Sequence, residues 1–272
     1  MNSVEPDGRR RTLVSTPSQP LIASPWLRPL AWLLLQGLLL VLGLGSLAWN
    51  LLALLLLPLM DAGRGRALGR RVIARGYAWF WRLAGRSGLL QMDARALDAL
   101  AGEPGVIVAA NHPSLLDALM LVARLPRAAC IMKASLLRNP FLGPGARLAR
   151  YIGNDSPYEM VRLAAAELRA GGQLVLFPEG TRSTRRPVNP FRSAAGLIAK
   201  LAGAPVQAVF IETDSPYLGK GWPLWRLPPL PIVFRVRLGR RFEAPADPQA
   251  FQAELEAYYV ADLQRTQAKP SP

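Results

Sequence analysis

Asn111-His112-Pro113-Ser114-Leu115-Leu116-Asp117 holds the one histidine of the chain, with a carboxylate five residues on. Imidazole is the side chain whose ordinary pKa lies nearest neutrality, so base chemistry through an imidazole would fall to His112. Asp117 could hold that ring in one tautomer. Taken alone, the pair reads first as a polar loop at a helix start, its acid favoured by the helix N-terminus. A second polar cluster weighs against that reading: Phe177-Pro178-Glu179-Gly180-Thr181-Arg182-Ser183. Arg182 can bind a phosphate through two parallel N–H groups. Gly180 lets a backbone approach closely, and Glu179 could hold the arginine or an acceptor hydroxyl. The structural alternative is a tight turn fastened by a Glu-Arg pair.

The elements around these clusters alternate. The apolar run Gly105–Ala110 leads into the first cluster, and Gln173–Phe177 leads into the second. A helix is expected over Leu115–Leu125 and a strand over Ala128–Lys133. Ser156-Pro157-Tyr158-Glu159 is a capping box with proline at the first helical position. Val161, Ala164, Ala165 and Leu168 give that helix its apolar face, and Gly171-Gly172 ends it. Phe191–Leu201 reads as a helix, Val206–Ile211 and Ile232–Leu238 as strands, and Phe251–Gln264 as a closing helix. Strands alternating with helices predict an α/β fold, a mostly parallel sheet flanked by helices. In such sheets ligands bind beyond the carboxyl ends of the strands, so both clusters should meet in one crevice. Cys130, the only cysteine, lies in the strand-like Ala128–Met132 and reads as a packed thiol rather than a nucleophile. One histidine and one cysteine make neither a disulfide nor a metal-ligand cluster.

From Leu30 to Met60 there is no charged residue, and leucine dominates. About 20 apolar residues suffice for one helical crossing. The tract is longer, so it is expected to be a membrane-embedded helical hairpin or a tilted span. It is too long for the apolar core of a signal peptide. Arg9, Arg10, Arg11 and Arg28 precede it, and Arg64, Arg66, Arg70, Arg71 and Arg75 follow it. Basic flanks mark the cytoplasmic side. Both ends being basic favours the hairpin, bent at Gly43-Leu44-Gly45 or Asn50. The following stretch, Ala62–Gly85, mixes arginines with Tyr77, Trp79, Phe80 and Trp81 and suggests a helix in the headgroup layer. Residues 1–29 read as a disordered basic tail. The stretch Trp222–Pro231 is an irregular loop that could touch the membrane or cover the core. The net charge of +15 invites an anionic partner. No nucleic-acid-binding module accompanies it, and the apolar tract points to lipid instead.

His112 and Asp117, followed by Phe177-Pro178-Glu179-Gly180-Thr181-Arg182-Ser183, resemble the two signatures of the glycerolipid acyltransferase superfamily, which includes the 1-acyl-glycerol-3-phosphate acyltransferases. The resemblance covers roughly Leu89 to Gly239. It implies transfer of a fatty acyl group from acyl-CoA or acyl-carrier protein to a hydroxyl of lysophosphatidic acid or a related lysophospholipid. His112 would then be the general base and Asp117 its orienting partner. Glu179, Gly180, Thr181 and Arg182 would bind the acceptor, with Lys133 and Arg192 where related enzymes carry basic residues that meet phosphate or donor. Ala204–Val209 resembles the late apolar strand of the family. The acyl donor is a substrate, so neither cofactor nor metal is expected. Partners would be membrane lipids, with no nucleic acid, and the site would be the cytoplasmic face of an inner membrane. The implied organisation is a tail at 1–29, an anchor with interfacial helix at 30–87 and an acyltransferase domain at 88–272. One position departs from the family. In Tyr151-Ile152-Gly153-Asn154-Asp155-Ser156, Asp155 stands where phosphate-specific members tend to carry arginine. An acid there would repel phosphate, so an acceptor without phosphate, such as an aminolipid, glycolipid or polyene lipid, is the alternative.

Overall fold

The computed structural model describes residues 25–140, 143–185 and 187–268, so most of the expected tail lies outside the described residues. Seven strands form one sheet: β1 (Leu90–Asp93), β2 (Ile107–Ala110), β3 (Ala128–Met132), β4 (Ile152–Gly153), β5 (Gln173–Leu176), β6 (Val206–Glu212) and β7 (Ile232–Phe242), in the order β1-β7-β6-β2-β5-β3-β4. The run β6-β2-β5-β3-β4 is parallel throughout. β7 lies antiparallel to β6, and β1 is parallel to β7. The sequence reflects this division. β2 and β5 are buried at every residue, as strands covered on both faces must be. β7 alternates instead: Ile232, Phe234 and Val236 point into the core while Arg235 stays outside.

On one face of the sheet lie α1 (Arg28–Leu56), α2 (Ala62–Arg86) and α3 (Asp117–Arg124). On the other lie α6 (Pro157–Arg169), α7 (Ala194–Ala202) and α8 (Pro248–Ala268). Two short helices, α4 (Ala134–Arg138) and α5 (Gly143–Leu148), sit between β3 and β4. Ser156 caps α6 by accepting from Glu159 N, while Glu159 turns its carboxylate to Arg162.

The apolar tract is one unbroken helix of 29 residues, long and apolar enough to cross a membrane. The bend expected at Gly43-Leu44-Gly45 or Asn50 is absent. A glycine inside a leucine helix costs only about 1 kcal/mol relative to alanine, too little to reverse the chain. Reversal comes at Leu57–Met60, around Pro58, after which Asp61 caps α2 by accepting from Gly63 N and Arg64 N. Asn50 ties helices together instead. Its Nδ2 donates to Ser46 O at 2.7 Å and its Oδ1 accepts from Gly145 N of α5 at 2.9 Å. Ala31, Leu35 and Leu38 near the start of α1 share an apolar cluster with Phe80, Trp81 and Ala84 near the end of α2, so the two helices fold back on each other.

α2 packs one of its sides on the domain. Phe80 and Trp81 turn into the core, and of the tryptophans on this helix Trp79 alone is exposed. Arg70, counted above as a basic flank, is buried. Its Nη1 donates to Glu167 at 2.7 Å and to Arg127 O at 2.8 Å, and its Nε donates to Ala149 O at 3.0 Å. Gly69 makes this close approach possible, since a Cβ there would meet Ala149 N at 2.7 Å. Alanine ordinarily favours a helix over glycine, but here the obstacle is backbone and cannot swing away. Gly69→Ala should therefore lower stability, by about 1–3 kcal/mol, read as an earlier midpoint in chemical denaturation.

Candidate active site

Both sequence clusters emerge at the carboxyl ends of the parallel strands. Asn111 fixes the end of β2 to β6: its Nδ2 donates to Ile211 O at 2.9 Å and its Oδ1 accepts from Ile211 N at 2.7 Å. The Tyr259 hydroxyl from α8 donates to Ala109 O at 2.7 Å and accepts from Val209 N at 3.0 Å. The chain then turns through Pro113 and Ser114 into α3. His112 Nδ1 lies 2.8 Å from Asp117 Oδ2, the same oxygen that accepts from Ser114 N at 2.7 Å. Ser114 Oγ donates to Tyr217 O at 3.0 Å, and Leu115 N donates to Leu218 O at 3.0 Å. The Phe177 ring stacks on the imidazole, centroids 4.0 Å apart and planes 19° from parallel, which fixes the ring plane from a second side.

Asp117 is fully buried. Burial pushes its carboxyl up from 3.8 to about 6, against the hydrogen bond from His112, which favours the ionised form. At neutral pH it is therefore ionised and can only accept, which in the neutral imidazole favours the tautomer with the proton on Nδ1 and the lone pair on Nε2. Asp117 Oδ1 is buried without a hydrogen-bond partner.

The second cluster holds the first from behind. Glu179 is 2% exposed. Its Oε1 accepts from His112 N at 3.0 Å and from Ser183 Oγ at 2.7 Å, and its Oε2 accepts from Asn189 N at 2.8 Å. Ser183 N donates to His112 O at 2.7 Å. The Glu-Arg pair imagined for this turn is not formed: Arg182 Nη1 donates to Leu218 O at 2.9 Å and to Gly219 O at 3.0 Å. Gly180 has φ +67°, and a Cβ there would lie 2.7 Å from Arg192 Nε. Arg192, itself bound to Pro178 O through its backbone N, thus lies against this turn. Thr181 is exposed, and so is Lys133, which follows β3 directly. Asp155 is not a lone acid, for it pairs with Arg138 at 2.8 Å on the surface.

His112, Asp117, Glu179, Gly180, Thr181, Arg182 and Arg192 are thus brought together, with Lys133 on the same edge of the sheet. Sequence reasoning missed Ser114, Phe177, Ser183 and Asn189. Asn189 accepts from Thr184 N and Arg185 N through Oδ1 and donates to Arg182 O through Nδ2, closing the turn. Ser114 and Ser183 sat inside the two quoted motifs. Nothing in the spacing marked Asn189.

The family model described as Acyltransferase matches residues 91–212, from β1 to the end of β6, taking in both clusters. This match and the two likenesses that follow support the resemblance to the glycerolipid acyltransferase superfamily. It is 25% identical over 242 residues to the 1-acyl-sn-glycerol-3-phosphate acyltransferase of Pseudomonas aeruginosa, covering 86% of this chain and 90% of that one. Its fold is that of PlsC, the 1-acyl-sn-glycerophosphate acyltransferase of Thermotoga maritima. The TM-score is 0.67 at 20% identity, over 90% of this chain and 99% of that one. In this acyltransferase the single thiol stands apart from the chemistry, since burial pushes Cys130 up to about 12.

Proposed function

We propose that this acyltransferase is membrane-bound and moves a fatty acyl group from acyl-CoA or acyl-carrier protein to a hydroxyl of lysophosphatidic acid or a related lysophospholipid. The observation that carries the reading is the His112–Asp117 pair, whose 2.8 Å contact is made through Nδ1 and so favours Nε2 as the atom to take a substrate proton. An alcohol is a weak nucleophile until its proton leaves. As the acceptor oxygen attacks the thioester carbonyl, His112 Nε2 takes the hydroxyl proton, and buried Asp117 stabilises the imidazolium that forms. The carbon–oxygen bond forms, the carbon–sulfur bond breaks, and the proton passes from Nε2 to the departing thiolate. No enzyme nucleophile is needed. A water-soluble donor and a lipid acceptor meet at a membrane surface, and we assign the cytoplasmic face of an inner membrane.

Acceptor phosphate would be met by Arg192 and Lys133, with Arg182 contributing the N–H groups beyond its Nη1. Asp155 gave grounds for an acceptor without phosphate. Its pairing with Arg138 leaves no uncompensated negative charge there, which supports the lysophospholipid.

The test is transfer by the detergent-solubilised full chain, with acyl-CoA and acyl-carrier protein offered separately, to lysophosphatidic acid and to monoacylglycerol. Phosphatidic acid should form, and Arg192→Ala should raise KM for lysophosphatidic acid about tenfold with kcat little changed, the loss of one charge-assisted hydrogen bond. Equal or better turnover of monoacylglycerol, insensitive to Arg192, would transfer the assignment to a phosphate-free acceptor.

A further inference from the structure

The loop 222–231 divides its side chains between two directions. Trp222 and Leu227 pack against the core cluster, and Leu230 belongs to it. Leu224 and Trp225 point the other way, 54% and 74% exposed. An outward tryptophan at a loop tip costs solvation unless something covers it. What lies beside it is α1. Trp32 Nε1 donates to Trp225 O at 2.7 Å, and Gln36 Nε2 donates to Leu224 O at 2.9 Å. These two polar side chains, one turn apart on a leucine-rich helix, hold the loop tip against its first turns. On the same helix Leu30, Leu33 and Leu34 are exposed, and Trp26 just before it is 89% exposed. Leu224 and Trp225 therefore extend the outward apolar face of the helix long enough to cross a membrane. Exposed Lys220 and Arg226 flank the tip, and Arg226 lies over the Trp222 ring at 5.0 Å. An apolar tip with aromatic and cationic shoulders matches the boundary between acyl chains and anionic headgroups.

We propose that the Leu224–Trp225 tip inserts into an anionic phospholipid bilayer beside α1, as a second contact that sets the catalytic edge at the lipid surface. The proposal rests on the membrane-bound reading above. The path from tip to site is short. Trp222 N donates to Gly219 O, and Gly219 and Leu218 accept from Arg182, while Leu218 and Tyr217 accept from Leu115 N and Ser114 Oγ. A tip fixed in lipid thereby fixes the loop that carries His112.

The experiment uses the full chain carrying Leu224→Cys, labelled with an environment-sensitive nitrobenzoxadiazole. Buried Cys130 does not compete for the label. The reference probe is Ala250→Cys, exposed on α8 across the sheet. Vesicles are phosphatidylethanolamine with phosphatidylglycerol, and co-sedimentation is measured in the same samples. The expected result is a blue shift, with quenching by lipid-borne nitroxide at 224 and none at 250. Leu224→Ala/Trp225→Ala should weaken partition roughly tenfold or more, the loss of two buried apolar side chains. It should also slow transfer to vesicle-borne acceptor while leaving transfer to a detergent-dispersed one unchanged. Vesicle binding with an unshifted, unquenched 224 probe overturns this proposal and leaves the membrane-bound reading standing. Failure of the chain to sediment with vesicles overturns both.

Discussion

Replacing His112 by alanine is expected to lower kcat for acyl transfer by about 10³-fold, the middle of the range for loss of a positioned general base, without unfolding the protein. The second half follows from how the residue is held. Its backbone N donates to Glu179 and its backbone O accepts from Ser183, and both bonds survive the substitution. Its side chain touches the site through one hydrogen bond, to Asp117, and one ring contact, to Phe177. Circular dichroism and a melting curve check the fold, and purified variant with near-normal turnover would end the general-base assignment. Glu179 makes the informative contrast. The family resemblance gave it an acceptor-binding role, yet both of its oxygens are engaged by the protein's own donors. It acts as the tether of the histidine loop, a role that the residue type alone could not distinguish from substrate binding.

That contrast marks the boundary of what the sequence disclosed. The parallel core was legible because β2, β5 and β6 are short apolar runs punctuated by turn residues. The histidine and its acid were legible only because a second polar cluster followed them, since the pair alone reads first as a polar loop at the start of α3. Two things were not legible. β4 is two residues long and β1 four, too short for any alternation to register. The bend inside the apolar tract does not form, and one of the flanking charges that favoured it, Arg70, serves a buried ion pair with Glu167, 97 residues away in the chain. A flank rule counts charges and is blind to partners that only the fold supplies. The same blindness hid the pairing of Asp155 with Arg138 and the use of Arg182 to hold the carbonyls of Leu218 and Gly219.

Asp117→Asn should separate activity from stability, in opposite directions. The carboxyl is fully buried, raised from 3.8 to about 6, and has one oxygen without a partner. A raised carboxyl binds its proton more tightly in the folded state than in the unfolded chain. Its ionisation therefore costs nothing below about pH 4. The cost grows between about pH 4 and 6 and is complete above, approaching about 3 kcal/mol for a shift of this size. Asparagine carries no such charge, so the variant should gain stability over the wild type as pH rises through that window, and hold the gain above it. Denaturation midpoints of the two proteins at pH 4, 5, 6 and 8 would measure this, and curves that stay parallel would place the carboxyl at its ordinary value. Transfer should respond the other way. An amide in place of the carboxylate can no longer stabilise the imidazolium, and the loss in kcat should approach that of the histidine variant. The wild-type rate should itself fall as pH drops through about 6, where Asp117 takes up its proton and ceases to support His112. A site that lowers the stability of its own fold at the pH where it works is what a buried carboxylate, bonded through one oxygen only, behind a general base requires.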